Sequence, residues 1–410
     1  MNVRMADSAL SIRTLTDDDF PALGRVLAAA FQADFREDSV ERDRKFLEAD
    51  RSHGIFDGDE LVGCGGILTR EITLPGRLPT PTAAVTAVGV KPGHRRRGVA
   101  SLLMKTQLHG LHEENREAFA ILWASEGSIY GRFGYGALSS EMLMLDLPHR
   151  APFHPWVRTG DARIREVTRE EAMPVMEEIH DRVRRTRTGW LNRVEGSWLF
   201  HLGDEEHDRD GLTAYRYALH PQGYAVYRVK HDWQPRGPQN ELHVREIVAE
   251  TDEAYAALYR HLLDMDLAGE VKFFTSSDDP ILHMITNPRQ ASRARADALW
   301  TRIVDIDRAL PQRRYLSDVD YVLDVTDDLC PWNSGSWRFT TKAGEATVLR
   351  TTDSPDVSLD IAALGSVFLG GVRLTVLARA QRVREHTPGA VDALSAAFLG
   401  DRDPHCPEVF

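Results

Sequence analysis

Cysteine is scarce in this chain of 410 residues, and its three cysteines, Cys64, Cys330 and Cys406, lie far apart. Their spacing matches no metal-binding pattern, and an odd number of cysteines does not suit a disulfide framework. We therefore expect buried or free thiols in a reducing compartment.

Long apolar runs are also missing, since no stretch approaches the roughly 20 residues that span a bilayer. Residues 1–11 contain no apolar core of signal-peptide length, so we expect a cytoplasmic protein with no membrane partner.

Basic residues are fewer than acidic ones: the chain has 50 Lys and Arg and 62 Asp and Glu, which gives a formal net charge of −12. That charge repels a polyanion and excludes nucleic acid as the expected partner, whereas it favours small cationic molecules.

The composition that remains is typical of a globular protein, with 42% hydrophobic and 27% charged residues. A short internal repeat indicates that one domain is duplicated. Residues 12–16 (Ile-Arg-Thr-Leu-Thr) precede three aspartates, and residues 164–168 (Ile-Arg-Glu-Val-Thr) precede Arg-Glu-Glu. Each copy has the pattern of a short strand, a Thr helix cap with acids in the first turn, and an apolar-periodic helix.

The order of the predicted elements indicates an α+β or α/β-like class with mixed sheets. The chain length predicts two or three domains. We expect domains at 1–147, 156–300 and 301–410, with the Pro-rich residues 148–155 as a linker. The predicted elements are a hairpin over 54–67, strands at 82–90, 118–124, 223–231, 241–249, 321–325, 337–340 and 345–349, and helices at 98–111, 252–265, 358–368 and 388–398.

The most informative segment is residues 88–100, Val-Gly-Val-Lys-Pro-Gly-His-Arg-Arg-Arg-Gly-Val-Ala. A buried strand ends, a loop carries three arginines, and Gly98 and Ala100 open a helix. This order aims free backbone N–H groups and the positive helix end at one point, where small residues let a phosphate oxygen approach. The arginines add fork-shaped, charge-assisted contacts. A short Arg run is more often a solvated loop, but the flanking strand and helix favour a phosphate site.

This Arg-x-x-Gly-x-Ala pattern after a Val-x-Val strand resembles the pyrophosphate loop of the GNAT superfamily of N-acetyltransferases. The resemblance implies that the main chain of Val88, Gly89 and Val90 holds the pantetheine arm and thioester of acetyl-CoA. The residues implied to surround the pyrophosphate are Arg95, Arg96, Arg97, Gly98, Val99, Ala100 and Ser101.

Residues 124–136, Ala-Ser-Glu-Gly-Ser-Ile-Tyr-Gly-Arg-Phe-Gly-Tyr-Gly, resemble the Eis (enhanced intracellular survival) family of acetyltransferases. Residues 364–372, 382–385 and 388–390 resemble that family's sterol-carrier-like domain. The resemblance implies two tandem GNAT-fold lobes with mixed sheets and a C-terminal sterol-carrier-like α+β domain. It also implies acetyl-CoA as cosubstrate, Ser125 and Glu126 beside it, and a homo-oligomer, specifically a hexamer.

Acetyl transfer to an amine needs a proton donor for the leaving thiolate and a base for the attacking ammonium. Tyr130 suits the donor because a phenol stays protonated at neutral pH, although most tyrosines in such positions only fill space. The resemblance implies that the base is the C-terminal carboxylate of Phe410, whereas a frayed terminus is the default for a chain end. An α-carboxyl, with a pKa of about 3.3–3.7, is a poor base unless it is desolvated or acts through water. Glu126 is the competing base.

The expected acceptor is a primary amine of a small cationic molecule, at one or several positions: an aminoglycoside-like compound, a polyamine, or the lysine side chain of a protein or peptide.

Residues 241–252 of the second unit are acidic and lack glycine, so we expect a cofactor-free second lobe that shapes the substrate pocket. Residues 201–210 contain His, Asp and Glu without a defined ligand spacing, so we expect no metal. A lipid- or sterol-binding protein with a vestigial transferase, and an acyl-CoA sensor, remain the alternatives.

Overall fold

The computed structural model describes residues 10–410. The expected absence of a signal peptide rests on residues 1–11, and nearly all of them lie outside the described residues. Within residues 10–410, no helix has both the length and the apolar character that crossing a membrane requires.

The strands in chain order are β1 (Ser11–Thr14), β2 (Ser52–Asp57), β3 (Glu60–Leu74), β4 (Leu78–Val90), β5 (Phe119–Trp123), β6 (Glu141–Pro148), β7 (Arg165–Val167), β8 (Arg216–His220), β9 (Gly223–Lys230), β10 (Trp233–Gln234), β11 (Gly237–Pro238), β12 (Asn240–Ala249), β13 (Ala268–Ser276), β14 (Ser292–Asp297), β15 (Leu299–Ile303), β16 (Val319–Thr326), β17 (Gly335–Lys342), β18 (Glu345–Arg350), β19 (Val357–Asp360) and β20 (Val383–Glu385). The α-helices are α1 (Phe20–Phe31), α2 (Ser39–Phe46), α3 (Val99–Glu114), α4 (Arg169–Arg184), α5 (Glu195–His201), α6 (Asp252–Leu263), α7 (Ile281–Met284), α8 (Ile306–Ala309), α9 (Ile361–Phe368), α10 (Leu374–Arg379) and α11 (Ala390–Phe398). Three mixed sheets carry helices on their faces, so the predicted α+β class is confirmed.

The first sheet has the order β1-β2-β3-β4-β5-β15. Successive side chains of a strand point to opposite faces, so neighbouring residues of β4 enter different cores. Ala84 packs with α1 and α2, whereas Ala83 and Val85 pack under α3. The predicted hairpin is confirmed, because β2 and β3 pair around the Asp57–Glu60 turn.

The second sheet has the order β14-β6-β13-β12-β9-β8-β7. Strand β6 comes from the end of the first unit, and β15 returns from the end of the second unit to pair with β5 in the first sheet. Each of the first two sheets therefore takes a strand from near a predicted domain boundary. The boundaries at 1–147, 156–300 and 301–410 stay a prediction.

The internal repeat folds as its pattern predicts. The main chain of Thr16 donates to Asp19, and Thr168 and Glu171 form a reciprocal capping box at the start of α4. Both caps follow a short strand, β1 in one copy and β7 in the other. The strand–cap–helix pattern is thus present twice.

The third sheet, β18-β17-β16-β19-β20, includes the strands predicted at 321–325, 337–340 and 345–349, and these pair antiparallel. The prediction of a helix over 358–368 is wrong for its first three residues, because these belong to β19 and α9 begins at Ile361. Asp360 caps α9 by accepting a hydrogen bond of 2.6 Å from the Ala363 N–H. An aspartate preceding an apolar run is a helix-start signal that the prediction missed. All of α9 is buried, and its core is continuous with that of the first sheet.

Candidate functional site

Two parallel strands of the first sheet diverge near their carboxyl ends. Strands β4 and β5 pair only at Ala83–Ala120 and Ala84–Ile121. Strand β4 then bulges at Ala87, where φ is +52°, and continues to Val90 while paired with β3. One backbone edge of residues 88–90 therefore stays paired with β3. The other edge is unpaired and faces an opening beside β5.

Helix α3 begins at the mouth of this opening. Its N-cap, Gly98, has a φ of +85° and no side-chain hydrogen bond caps the helix. Arg96 also has a positive φ, +62°. The first N–H groups of a helix have no partner within it, and the helix dipole makes this end positive. A bend through the left-handed region thus turns the loop so that uncapped amides face the opening.

A cleft of about 730 Å³ runs between the diverging strands and the start of α3. Every residue that the sequence predicted to contact the cofactor lines it, with the exception of Arg97. The lining residues are Ala30, Phe31, Gln32, Val88, Gly89, Val90, His94, Arg95, Arg96, Gly98, Val99, Ala100, Ser101, Ser125, Glu126, Ile129, Tyr130 and Arg132.

The three loop arginines differ in their surroundings. Arg95 lines the cleft and donates to the Ala30 carbonyl at 3.2 Å, which ties the loop to the end of α1. Arg97 donates to Asp57 at 3.0 Å, at the β2–β3 turn. Arg96 is exposed and lines the cleft. The guanidinium groups of Arg95 and Arg96 therefore give this end of the cleft its positive charge.

Tyr130 also lines the cleft and begins a short 3-10 turn, Tyr130–Phe133. It is only 5% exposed, and its ring meets that of Tyr135 edge-on at 5.9 Å. Burial raises the pKa of Tyr130, the charge of Glu126 raises it further, and Ser125 acts in the opposite direction. The phenol is therefore protonated at neutral pH and can donate a proton.

Matches to protein families cover most of the chain. Residues 11–138 and 189–303 match acetyltransferase (GNAT) domain models, and residues 306–407 match a sterol carrier protein domain model. The N-acetyltransferase Eis of Mycobacterium tuberculosis strain H37Ra is 33% identical over 400 residues, covering 94% of this chain and 96% of that protein. The chain belongs to the Eis family of N-acetyltransferases.

Two further relatives agree with this assignment. An uncharacterized N-acetyltransferase of Streptomyces avermitilis is 36% identical over 408 residues, 97% of this chain and 99% of that one. The crystal structure of Eis1 from Mycobacterium abscessus superposes with a TM-score of 0.85 at 32% identity, covering 98% of this chain and all of that one. GNAT enzymes of this kind use acetyl-CoA and act on amines, and this member is an N-acetyltransferase.

In this Eis-family chain the C-terminal segment is docked against the protein. The His405 N–H donates to the Thr188 carbonyl at 2.9 Å, and Glu408 accepts from Arg193 at 2.5 Å. Phe410 is partly buried against the core shared by the first sheet and the third domain. Phe410 is not among the residues that line the cleft. The structure therefore brings together Tyr130 and the predicted cofactor contacts other than Arg97, and it does not add Phe410 to them.

Sequence reasoning missed the contribution of α1 to the cleft. Residues 30–32 line it, and Phe31, the last residue of the helix, is exposed. The sequence places this aromatic residue in an apolar-periodic segment, but only the tertiary fold brings that end of the helix next to the loop. Among residues 10–410, no group of three or more His, Cys, Asp or Glu side chains could hold a metal ion.

Proposed function

We propose that the cleft between β4 and β5 binds acetyl-CoA and transfers its acetyl group directly to a primary amine. The observation that carries this proposal is the meeting, in one cleft, of a diverging strand edge, the uncapped start of α3 and a buried tyrosine. The amides of residues 96–101 would hold the pyrophosphate, with the guanidinium groups of Arg95 and Arg96 beside it.

The space in front of α3 supports this fit. A Cβ built on Gly98 would meet no atom of the described residues within 4 Å, so the glycine is required by its backbone angle and the space before the amides is open to a ligand. Along β4, residues 88–90 offer main-chain groups at the unpaired edge to the amides of a pantetheine arm. When bound, acetyl-CoA supplies an activated acetyl group beside Tyr130.

Tyr130 acts as general acid in this proposal, because its raised pKa keeps a proton available for the departing thiolate. The C-terminal carboxylate of Phe410 acts as general base, directly or through one water, and removes the proton of the attacking ammonium. Glu126 lines the cleft and is the alternative base. The acceptor is a cationic amine, favoured by the net charge of −12.

The same proposal covers the rest of the chain. The second lobe binds no cofactor, because only Glu250 and Thr251 separate β12 from α6 and Glu250 is an acid. The third domain has a structural role, supported by the complete burial of α9. The buried free thiols of Cys64, Cys330 and Cys406 support a cytoplasmic location. The assembly is a homohexamer, which light scattering tests.

The experiment is a screen for thiol release from acetyl-CoA with kanamycin, spermidine and lysine peptides as acceptors. Tyr130→Phe should lower kcat by roughly 10²- to 10⁴-fold and leave the Kd for CoA unchanged. Tyr135→Phe is the matched control, because its buried hydroxyl has no hydrogen-bond partner within residues 10–410 and it does not line this cleft. Unchanged turnover in Tyr130→Phe would remove the proton-donor role.

Deleting Phe410 and substituting Glu126→Gln identify the base. The proposal expects the deletion to have the larger effect on kcat. Absence of thiol release with every amine, together with CoA binding, would instead favour an acyl-CoA sensor. Sterol binding without CoA binding would favour the lipid-binding alternative.

A further inference from the structure

The second lobe repeats the strand–helix–strand arrangement that forms the cleft of the first lobe. Strands β12 and β13 pair in parallel from Asn240–Ala268 to Val244–Phe273, and α6 connects them. The pairing between β12 and β13 does not continue beyond Val244, although β12 extends to Ala249. This second cleft measures about 210 Å³, compared with about 730 Å³ in the first lobe.

Part of the chain's own C-terminal segment (residues 402–410) lies at this second cleft. Arg402, His405 and Pro407 are among its lining residues, together with the ends of β12 and β13. The loop before α6 is short, and its Thr251 hydroxyl accepts from the Ala254 N–H, so this helix start is already capped. The space between the diverging strands, which is open in the first lobe, is thus partly filled by the chain itself in the second lobe.

Main-chain contacts hold the segment along its length. Arg187 donates to the Asp403 carbonyl at 3.1 Å, and the His405 N–H donates to the Thr188 carbonyl at 2.9 Å. Gly189 has a φ of +94°, and a Cβ there would lie 2.6 Å from the His405 carbonyl oxygen. The approach of the two backbones therefore depends on glycine at this position.

A buried ion cluster fixes the far end of the segment. Arg193 is fully buried and donates to both oxygens of Glu246, at 3.0 and 2.8 Å, and through Nε to Glu408 at 2.5 Å. Tyr224 and His201 also contact Glu246, at 3.1 Å each. One guanidinium thus holds a carboxylate of the second sheet and a carboxylate of the C-terminal segment.

Such a cluster is a poor device for stability alone, because desolvating three charges costs about as much as their attraction returns. It does fix the relative positions of its members, because the planar guanidinium donates to carboxylates in only a few orientations. Glu408 precedes Phe410 by two residues, so the Cα atoms of these two residues lie within roughly 7 Å of each other even in an extended chain. Nearby, the Cys406 thiol lies beside the indole of Trp123, the last residue of β5.

We propose that Arg193 and Glu408 are positioning residues that fix the C-terminal segment in the second lobe's cleft and thereby present the Phe410 carboxylate to the acetyl-transfer site. This inference rests on the proposed role of Phe410. It assigns the second lobe a mechanistic task, which is to hold the base.

The test compares Glu408→Gln with a matched acid-to-amide control, Asp320→Asn. Asp320 pairs with Arg338 at 2.6 Å on the exposed surface of the third domain. For Glu408→Gln, hydrogen exchange of residues 405–410 should accelerate at least about tenfold. With kanamycin or spermidine as acceptor, kcat should fall by roughly tenfold or more, because displacement of a reacting group by about 1 Å can cost on the order of 10²-fold. The Kd for CoA should stay within about twofold, and the control should change neither exchange nor kcat.

Combining Glu408→Gln with deletion of Phe410 separates positioning from a general structural effect. The combined variant should have the kcat of the deletion alone, whereas multiplied losses would overturn the proposal. If the deletion lowers kcat but Glu408→Gln does not, positioning is wrong and the base assignment stands. If the deletion leaves kcat unchanged, the base assignment fails, and with it this inference.

A second variant avoids disturbing the buried cluster. One glycine inserted between Glu408 and Val409 leaves the ion cluster in place but displaces the terminal carboxylate. Exchange of residues 405–408 should stay slow while kcat falls. Full turnover in this variant would contradict the proposal.

Discussion

At the scale of single residues, the phosphate-binding character of the first cleft depends on backbone angles as well as on charge. Arg96 and Gly98 both have positive φ values, and this double bend separates the directions of the neighbouring arginines. Arg96 lines the cleft, whereas Arg97 pairs with Asp57. Arg96 and Arg97, although adjacent, should therefore contribute differently to the affinity for CoA.

Substituting Arg96→Gln should raise the Kd for CoA by roughly 10- to 100-fold, because a hydrogen bond to a charged group contributes about 1.5–3 kcal/mol. Arg97→Gln, the matched control, should raise it by less than about threefold. Isothermal titration of both variants at low and moderate salt measures the difference. Equal losses in the two variants would show that the loop acts only as a diffuse positive patch.

The sequence predicted this part of the site well, because a phosphate loop is local. Its strand, loop and helix start are contiguous in the sequence, and their glycine and arginine residues are the types that bind phosphate. The conformation of each arginine could not be predicted, since it depends on Asp57 and Ala30, which lie far away in the sequence. The pattern does not contain these partners.

At the scale of elements, the docked C-terminal segment is the least predictable part of the molecule. The family resemblance implied a role for the Phe410 carboxylate, but nothing in the residues of the segment indicated the second lobe's cleft as the docking site. His405 is buried there, and burial with the charge of Arg187 lowers its pKa to about 3, with Arg402 acting in the same direction and Asp278 against it. The docked segment therefore requires a neutral imidazole.

This requirement predicts that the segment loosens in acid. The folded pKa of His405 lies below the unfolded value of 6.5, so the stability it confers is present above about pH 6.5 and is lost as the pH falls toward 3. Between pH 7 and pH 5 the opening free energy of residues 405–410, measured by hydrogen exchange, should fall by about 2 kcal/mol. His405→Gln should show a smaller fall. An equal pH dependence in both proteins would assign the effect to other groups.

At the scale of the whole molecule, the three parts are interlocked. Strands β6 and β15 cross between the first two sheets, and one core cluster joins the first sheet to α9 of the third domain. The sequence predicted three parts, but strand exchange depends on which edges meet in space and leaves no periodic signal. Gly136 lies at the junction with α9, where a Cβ would come within 2.0 Å of the Ser366 amide nitrogen.

Gly136→Ala should therefore lower the stability by about 3 kcal/mol or more, since main-chain atoms on both sides must move. Gly110→Ala is the control, because a Cβ there meets no atom within 4 Å in the interior of α3. That change should be neutral or stabilising by up to about 1 kcal/mol. Calorimetry of both variants tests the junction, and a Gly136→Ala protein as stable as the parent would mean that α9 is not held there.

A crystal structure of the chain with CoA tests most directly whether the first cleft is the acetyl-CoA site. We expect the pyrophosphate about 3 Å from the amides at the start of α3, the pantetheine arm along residues 88–90, and the sulfur beside Tyr130. CoA bound between β12 and β13, or a first cleft that stays empty or closes with side chains in the presence of saturating CoA, would contradict this expectation.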